Sequence, residues 1–136
     1  MSVAPKVAVV IPSWNSLELL PRCLGSLGGQ GTSLELLVVD NGSTDGSPAL
    51  AANAGARVVF EPVKGYGSAL RRGCAEAKGD WLVMGDCDDT YEFSTLDPLI
   101  SPLEAGADMS IGNRFAGGIA PGAMTWSHRY IGTPVI

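Results

Sequence analysis

A chain of 136 residues with 46% hydrophobic content has enough apolar material for one core and too little for two, so residues 1–136 are read as a single domain. Nine Lys and Arg against fourteen Asp and Glu leave a formal net charge of −5, which argues against nucleic acid as a partner, because neutralising a phosphate backbone needs clustered basic residues. Three cysteines, Cys23, Cys74 and Cys87, are odd in number and lack CxxC spacing, so no disulfide framework is expected and a reducing cytoplasm fits best.

Lys6 to Pro12 is an unbroken apolar run ended by proline, and Leu34 to Asp40 is a second run ended by Asp-Asn-Gly. Both read as strands covered on two faces. Between them Leu17, Leu20, Leu24 and Leu27 recur at helical spacing, with Asn15 or Ser16 placed to cap the start, Pro21 in the first turn and Gly28-Gly29 at the end. Ser47-Pro48 opens an alanine-rich helix that stops at Gly55, and Ala56 to Phe60 is a short strand. A helix follows from about Tyr66 to Lys78, closed by Gly79, and Trp81 to Gly85 is the fourth strand. A helix from Thr95 to Glu104, interrupted by Pro98 and Pro102, precedes a fifth strand at Ala107 to Gly112. Strands alternating with helices imply an α/β fold, a mostly parallel sheet with helices on both faces.

In such a sheet the carboxyl ends of the strands share one rim, where ligands bind. The rim would collect Pro12, Ser13, Trp14 and Asn15 after the first strand, Asp40 to Ser43 after the second, and Asp86, Cys87, Asp88 and Asp89 after the fourth. Like charges a few ångströms apart oppose each other's ionisation, so the acids at the end of Trp81–Gly85 call for a cation or a hydroxyl-rich ligand. Oxygen donors favour a hard ion, Mg²⁺ or Mn²⁺, held jointly with a substrate diphosphate. A lone Asp-x-Asp is also what a capped strand end looks like, and Asn41-Gly42 is a strong turn former in its own right. Asp40, at the tip of an apolar strand, is the better candidate for ligand contact, accepting from a base N–H.

Lys64-Gly65-Tyr66-Gly67 resembles a phosphate-cradling glycine turn at a helix N-terminus. It matches neither GxxxxGK[ST] nor GxGxxG, so a P-loop and a dinucleotide fingerprint are both unsupported. Arg71-Arg72, Arg114 and Arg129 could each meet a phosphate or be ordinary solvated surface charges. No stretch approaches the ~18 apolar residues of a membrane span, and the N-terminus lacks the regions of a secretory leader.

Five elements occur in order: Val-Val-Ile-Pro-Ser-Trp-Asn, Val-Val-Asp-Asn-Gly-Ser-Thr-Asp, Lys-Gly-Tyr-Gly-Ser-Ala-Leu, Gly-Asp-Cys-Asp-Asp-Thr-Tyr and Ile-Gly-Asn-Arg-Phe. Together they resemble the family-2 inverting glycosyltransferases of the GT-A fold, a Rossmann-like nucleotide-sugar-binding domain. Gly-Asn-Arg-Phe and the tail from Pro121 to Val135 resemble the polyprenyl-phosphate branch, typified by dolichyl-phosphate mannose synthases.

The resemblance implies that Pro12, Ser13, Trp14 and Asn15 line the nucleotide pocket, that Asp40 contacts the base, and that Lys64 and Gly65 complete the pocket. It further implies that Asp86 binds ribose or donor-sugar hydroxyls, that Asp88 holds the divalent ion against the diphosphate, and that Arg114 and, less directly, Arg129 hold phosphate. The implied catalytic set is Asp86, Asp88 and Arg114. The implied reaction moves a sugar from a UDP- or GDP-sugar to an acceptor, here a polyprenyl phosphate, with inversion. A phosphate acceptor is already a nucleophile near neutral pH, so that branch needs no general base. The sole histidine, His128, and its neighbours Trp126, Tyr130 and Ile131 read as a packing or membrane-facing segment before they read as catalytic.

Members of the resembled family continue well past Ile136, so the chain is expected to be C-terminally short, with a sheet edge open to pairing with a second copy. The alternative is therefore a truncated, non-catalytic nucleotide or nucleotide-sugar binding module that self-associates. The expected location is the cytoplasm, with contact at most peripheral at the inner face of the cell membrane.

Overall fold

A computed structural model describes residues 5–28, 33–88, 93–113 and 121–122. It comprises two compact units, Met1–Leu96 and Asp97–Ile136. The first carries β1 (Val7–Ser13), α1 (Leu20–Ser26), β2 (Leu34–Asp40), α2 (Ser47–Asn53), β3 (Arg57–Phe60), α3 (Tyr66–Glu76) and β4 (Trp81–Met84). The second carries α4 (Asp97–Glu104).

The order across the sheet is β3-β2-β1-β4, and every pairing is parallel. β1 sits inside it, in register from Val7↔Leu34 to Ser13↔Asp40 on one side and from Val7↔Trp81 to Val10↔Met84 on the other. A strand flanked by neighbours and covered on both faces has no use for polar alternation. Val7 to Ile11 accordingly expose no surface, each larger side chain contributing on the order of 1.5–3 kcal/mol by leaving water.

Crossovers between parallel strands are right-handed. The chain steps outward from β1 to β2 to β3, then returns past β1 to β4, so α3 lies on the face opposite α1 and α2. α3 packs on β1 and β2, where Val10, Leu37, Val39 and Ala69 form a buried cluster joined by Val59, Leu70 and Ala77. Gly73 makes the close approach possible, since a Cβ there would overlap Val10 Cγ1 and stand 3.1 Å from Val39 Cγ2. On the same face, the Arg57 guanidinium ties β3 to Glu35 of β2 at 2.7 Å and to Glu76 of α3 at 3.4 Å. Gly79 admits the chain to β4, because a Cβ there would run into the backbone of Val7 and Ala8.

Three expectations need correction. α1 starts at Leu20, with no side-chain cap at Leu19. The Ser16 carbonyl accepts the Leu19 and Leu20 amides at 3.1 and 2.9 Å, while Asn15, at φ 46, turns its side chain toward another loop. The helix expected from Thr95 begins at Asp97, places Pro98 in its first turn where a missing N–H does no harm, and absorbs Pro102 internally. No strand forms at Ala107 to Gly112. Met109 and Ile111 are exposed there, and among the described residues no strand pairs with the segment.

Two glycines of α3 should respond oppositely to alanine. Gly73→Ala overfills the contact with Val10 and should destabilise the chain by about 1–3 kcal/mol. Gly67, whose added Cβ would meet nothing within 4 Å, should gain about 0.4–1 kcal/mol on Gly67→Ala from a restricted unfolded state. Urea unfolding of the two variants measures both signs.

Candidate functional site

β1 is where the direction of strand addition reverses, and ligands of open α/β sheets bind outside the carboxyl ends of strands at that point. The rim there is continuous. The Asn41 amide donates to Ser13 O at 2.9 Å, the Gly85 amide donates to Val10 O at 3.3 Å, and Cys87 Sγ stands 3.6 Å from Pro12 O. The segment Asp86–Asp88 is thus anchored beside the end of β1 by a buried cysteine, with Asp86 half-buried and Asp88 exposed. Gly85 makes room below it, since a Cβ would collide with the Phe93 ring.

On the α3 side of β1 lies a pocket of about 340 Å³. β1 and its loop contribute Pro12, Ser13 and Trp14, the β2 loop contributes Asn41, and the entry to α3 contributes Lys64, Gly65, Tyr66 and Ala69. Trp14 and Tyr66 are 61% and 58% exposed, so two large aromatic surfaces stand open to solvent at one cavity, a costly disposition unless a flat ligand covers them. Lys64 and the N-terminus of α3 bring positive charge and helix-dipole potential to the same wall. Ser13 adds a buried hydroxyl with no hydrogen-bond partner among the described residues.

Of the residues singled out in the sequence, Pro12, Ser13, Trp14, Lys64 and Gly65 line this pocket. Asp40 does not. It is 5% exposed, and its carboxylate accepts from the Gly42 amide at 3.2 Å and from the Ser43 amide at 3.2 Å. The side chain therefore shapes its own loop, retaining acceptor positions beyond those two contacts. Asn15 also stands outside the pocket lining, its Oδ1 accepting from the Thr44 amide at 2.8 Å. Arg114, Arg129 and His128, like Asp89, lie outside the described residues.

Sequence reasoning missed Ala69 and assigned no pocket role to Asn41, set on the rim chiefly as a turn former, or to Tyr66, read within the glycine turn. Asn41 holds the pocket wall together: Nδ2 donates to Glu61 O at 2.8 Å and Val63 O at 2.9 Å, and Oδ1 accepts from the Gly65 amide at 2.8 Å. An asparagine carries both donors and acceptor on one planar group, so it can join two loops where Asp cannot. The signal was present in Asp-Asn-Gly, but the turn reading absorbed it. One consequence alters the anion cradle. With its own N–H committed to Asn41, Gly65 leaves the amides of the first turn of α3 to meet a phosphate.

Among the described residues no group of three or more His, Cys, Asp or Glu is arranged to hold a metal ion. Asp86 and Asp88 offer oxygen donors of the kind Mg²⁺ and Mn²⁺ take, and fit an ion whose remaining ligands come from phosphate and water. Among the described residues no helix is long and apolar enough to cross a membrane.

Comparison with known proteins supplies a context for this geometry. The profile of Glycosyl transferase family 2 matches residues 8–135. A low-salt glycan biosynthesis hexosyltransferase of Haloferax volcanii is 35% identical over 98% of this chain and 33% of its own length. A dolichol-phosphate mannosyltransferase of Pyrococcus furiosus is 32% identical over 83% of this chain and 34% of its own. Among solved structures, glucosyl-3-phosphoglycerate synthase from Mycobacterium tuberculosis, in complex with Mn²⁺, UDP-glucose and phosphoglyceric acid, superposes with a TM-score of 0.65 at 32% identity. That match covers 75% of this chain and 40% of the synthase. The chain thus spans about a third of the length of these two sequence relatives.

Removing the Asn41 side-chain contacts should loosen the pocket wall. Asn41→Ala removes three bonds, two of them open to water, and should destabilise the chain by about 0.5–1.5 kcal/mol. Asn41→Asp should recover only the acceptor half. Chemical denaturation of both variants checks the order native, Asp, Ala.

Proposed function

The chain belongs to glycosyl transferase family 2, and from that premise we propose that it binds a nucleotide-sugar, UDP- or GDP-linked, and serves the transfer of the sugar to an acceptor with inversion at the anomeric carbon. The observation that carries this reading is the placement, on either side of the end of β1, of an aromatic pocket and an Asp-x-Asp loop. The base enters between Trp14 and Tyr66, and the diphosphate runs toward the first turn of α3, Lys64 and the Asp86–Asp88 segment.

Asp86 accepts from hydroxyls of the ribose or donor sugar. Asp88 would hold Mg²⁺ or Mn²⁺, and a bound ion of this kind would supply positive charge to stabilise the leaving nucleoside diphosphate. Arg114 and Arg129, which lie outside the described residues, are read in this proposal as phosphate-binding. The solved relative holding Mn²⁺ and UDP-glucose supports the choice of ligand. Breaking the bond from the anomeric carbon to diphosphate oxygen and forming one to acceptor oxygen releases the nucleoside diphosphate. With a phosphate acceptor the attacking oxygen is already deprotonated, and no side chain need take a proton.

The acceptor proposed here is a polyprenyl phosphate, supported by the likeness to the Pyrococcus furiosus enzyme and by the Gly-Asn-Arg-Phe element. Such an acceptor would bring a cytoplasmic chain to the inner face of the membrane as a peripheral visitor. A second reading, a self-associating binding module without turnover, is favoured by one feature. β4 is an edge strand among the described residues, with Leu82 and Met84 exposed along it, and an unpaired apolar edge recruits a partner strand.

Calorimetric titration with UDP-glucose and GDP-mannose, with and without Mn²⁺, tests the donor site. One nucleotide should bind, Mn²⁺ should tighten it by about tenfold or more, and Asp88→Ala should abolish the effect of the metal while leaving metal-free binding in place. Binding indifferent to both metal and Asp88 would overturn the assignment. Binding without transfer to a polyprenyl phosphate, from a species that light scattering shows to be dimeric, would favour the second reading.

A further inference from the structure

The loop that carries Trp14 leaves β1 at Ser13 and has no regular structure until Leu20. Its position is set from the outside. Four hydrogen bonds join it to the loop between β2 and α2 and to the first residue of α2: the Asn15 amide donates to Ser43 Oγ at 2.9 Å, Asn15 Oδ1 accepts from the Thr44 amide at 2.8 Å, the Ser16 amide donates to Ser47 Oγ at 3.0 Å, and the Leu17 amide donates to Asp45 Oδ2 at 3.0 Å. Asn15 stands in left-handed backbone at φ 46, a conformation that asparagine tolerates better than most non-glycine residues.

Asp45 is the hub of this arrangement. One carboxylate oxygen takes the Leu17 amide directly, and the other accepts both the Ser47 amide, at 3.0 Å, and the Ser47 hydroxyl. Because the Ser47 hydroxyl spends its proton on Asp45, its lone pairs are left to accept the Ser16 amide. Two consecutive amides, of Ser16 and Leu17, are therefore fixed by one carboxylate, the first through Ser47 and the second by contact. Ser47 is 1% exposed, so the arm to Ser16 is buried, while the Asp45–Leu17 bond is open to solvent. The carboxyl of Asp45 is held below its ordinary value, first by the Ser47 hydroxyl, with desolvation opposing and the Ser47 and Leu17 amides assisting.

We propose that Asp45 is a positioning residue for nucleotide binding: through the Leu17 amide and the Ser47 hydroxyl it holds the Ser13–Leu17 loop so that Trp14 stands ready at the pocket wall before ligand arrives. Bonding Ser47 at the start of α2 is the lesser part of its work. A residue needed only for the cap would have no use for the oxygen that faces Leu17, which lies in a different loop and 28 residues away in sequence. The inference rests on the nucleotide-binding reading and extends it to a residue that touches no part of the pocket.

Asp45→Asn separates the two duties. An amide oxygen can keep both bonds from Ser47, while the amide nitrogen then faces the Leu17 N–H, donor against donor. On the 136-residue chain, calorimetry with UDP and with GDP should show the dissociation constant of the bound nucleotide rising about tenfold, because ordering of the loop is deferred to the binding step. Hydrogen exchange should quicken at the amides of residues 14–17 and stay unchanged in Val7–Ile11. Ser47→Ala, which removes the Ser16 arm, should act in the same direction, and the two changes combined should be less than additive. Unchanged affinity and unchanged exchange in residues 14–17 would overturn the proposal, as would an equal rise in exchange throughout β1, which marks a merely structural role. If the native chain binds neither nucleotide, the donor-site reading fails and the exchange pattern alone decides whether Asp45 holds the loop.

Discussion

The parallel pairing of β1 with a neighbour on each side is the constraint from which the rest of the structure follows. A strand so placed must be apolar along its length, and Val7 to Ile11 are fully buried. Polar residues are thereby displaced to the strand ends. Because parallel crossovers are long and of one hand, a chain that adds β2 and β3 on one side and then β4 on the other must switch α3 to the opposite face. The switch opens the rim at the end of β1, and three loops of mixed polar sequence meet there.

Loops at such a rim carry backbone groups that no ladder satisfies. Here short polar side chains stand in for the missing ladder. Asp40 takes the amides of Gly42 and Ser43, Asn41 bridges to the loop after β3 at Glu61 and Gly65, and Asn15 and Asp45 join the first loop to the second. None of these contacts leaves the rim, and each replaces a backbone partner with a side chain of fixed reach. The aromatic surfaces of Trp14 and Tyr66 are treated otherwise, left 61% and 58% exposed on a scaffold that has gone to some length to hold them. A surface of that kind, on loops tied so closely, is organised for a ligand and not for the fold.

The sheet was legible because buried parallel strands announce themselves as continuous apolar runs, and Lys6–Pro12 and Leu34–Asp40 have no competing reading. Gly65 before Tyr66, and Gly79 before Trp81, marked the ends of α3 by the same logic. Where the sequence misled, a side chain had two possible employers. Asn15 and Ser16 are good helix caps by type, but four bonds to a loop 28 to 31 residues away outweigh one local cap, and no local pattern encodes them. Asp40, read at a strand tip as a ligand contact, also takes two amides of its own loop and keeps acceptor positions beyond them. Ala107–Gly112 alternates as a strand should, yet a strand exists only with a partner, which propensity cannot supply. Asn41 had the opposite fate, since its turn-forming tendency concealed a bridge between two loops.

The aromatic pocket and the paired carboxylates lie against different parts of β1, and the pocket is lined by neither Asp86 nor Asp88. What couples them is the strand end itself. Pro12 presents its ring side to the pocket and its carbonyl to Cys87 Sγ at 3.6 Å, while Ser13 extends the ladder to Asn41 at 2.9 Å. In the proposed reading one ligand spans both regions, so its two ends are referred to a single buried strand and not to two independent loops. A proline is well suited to that post. It has no amide to satisfy, and its φ is fixed by the ring. The geometry that a nucleotide and a cation would need in common is therefore set by the stiffest element of the fold, and the loops have only to supply the chemistry.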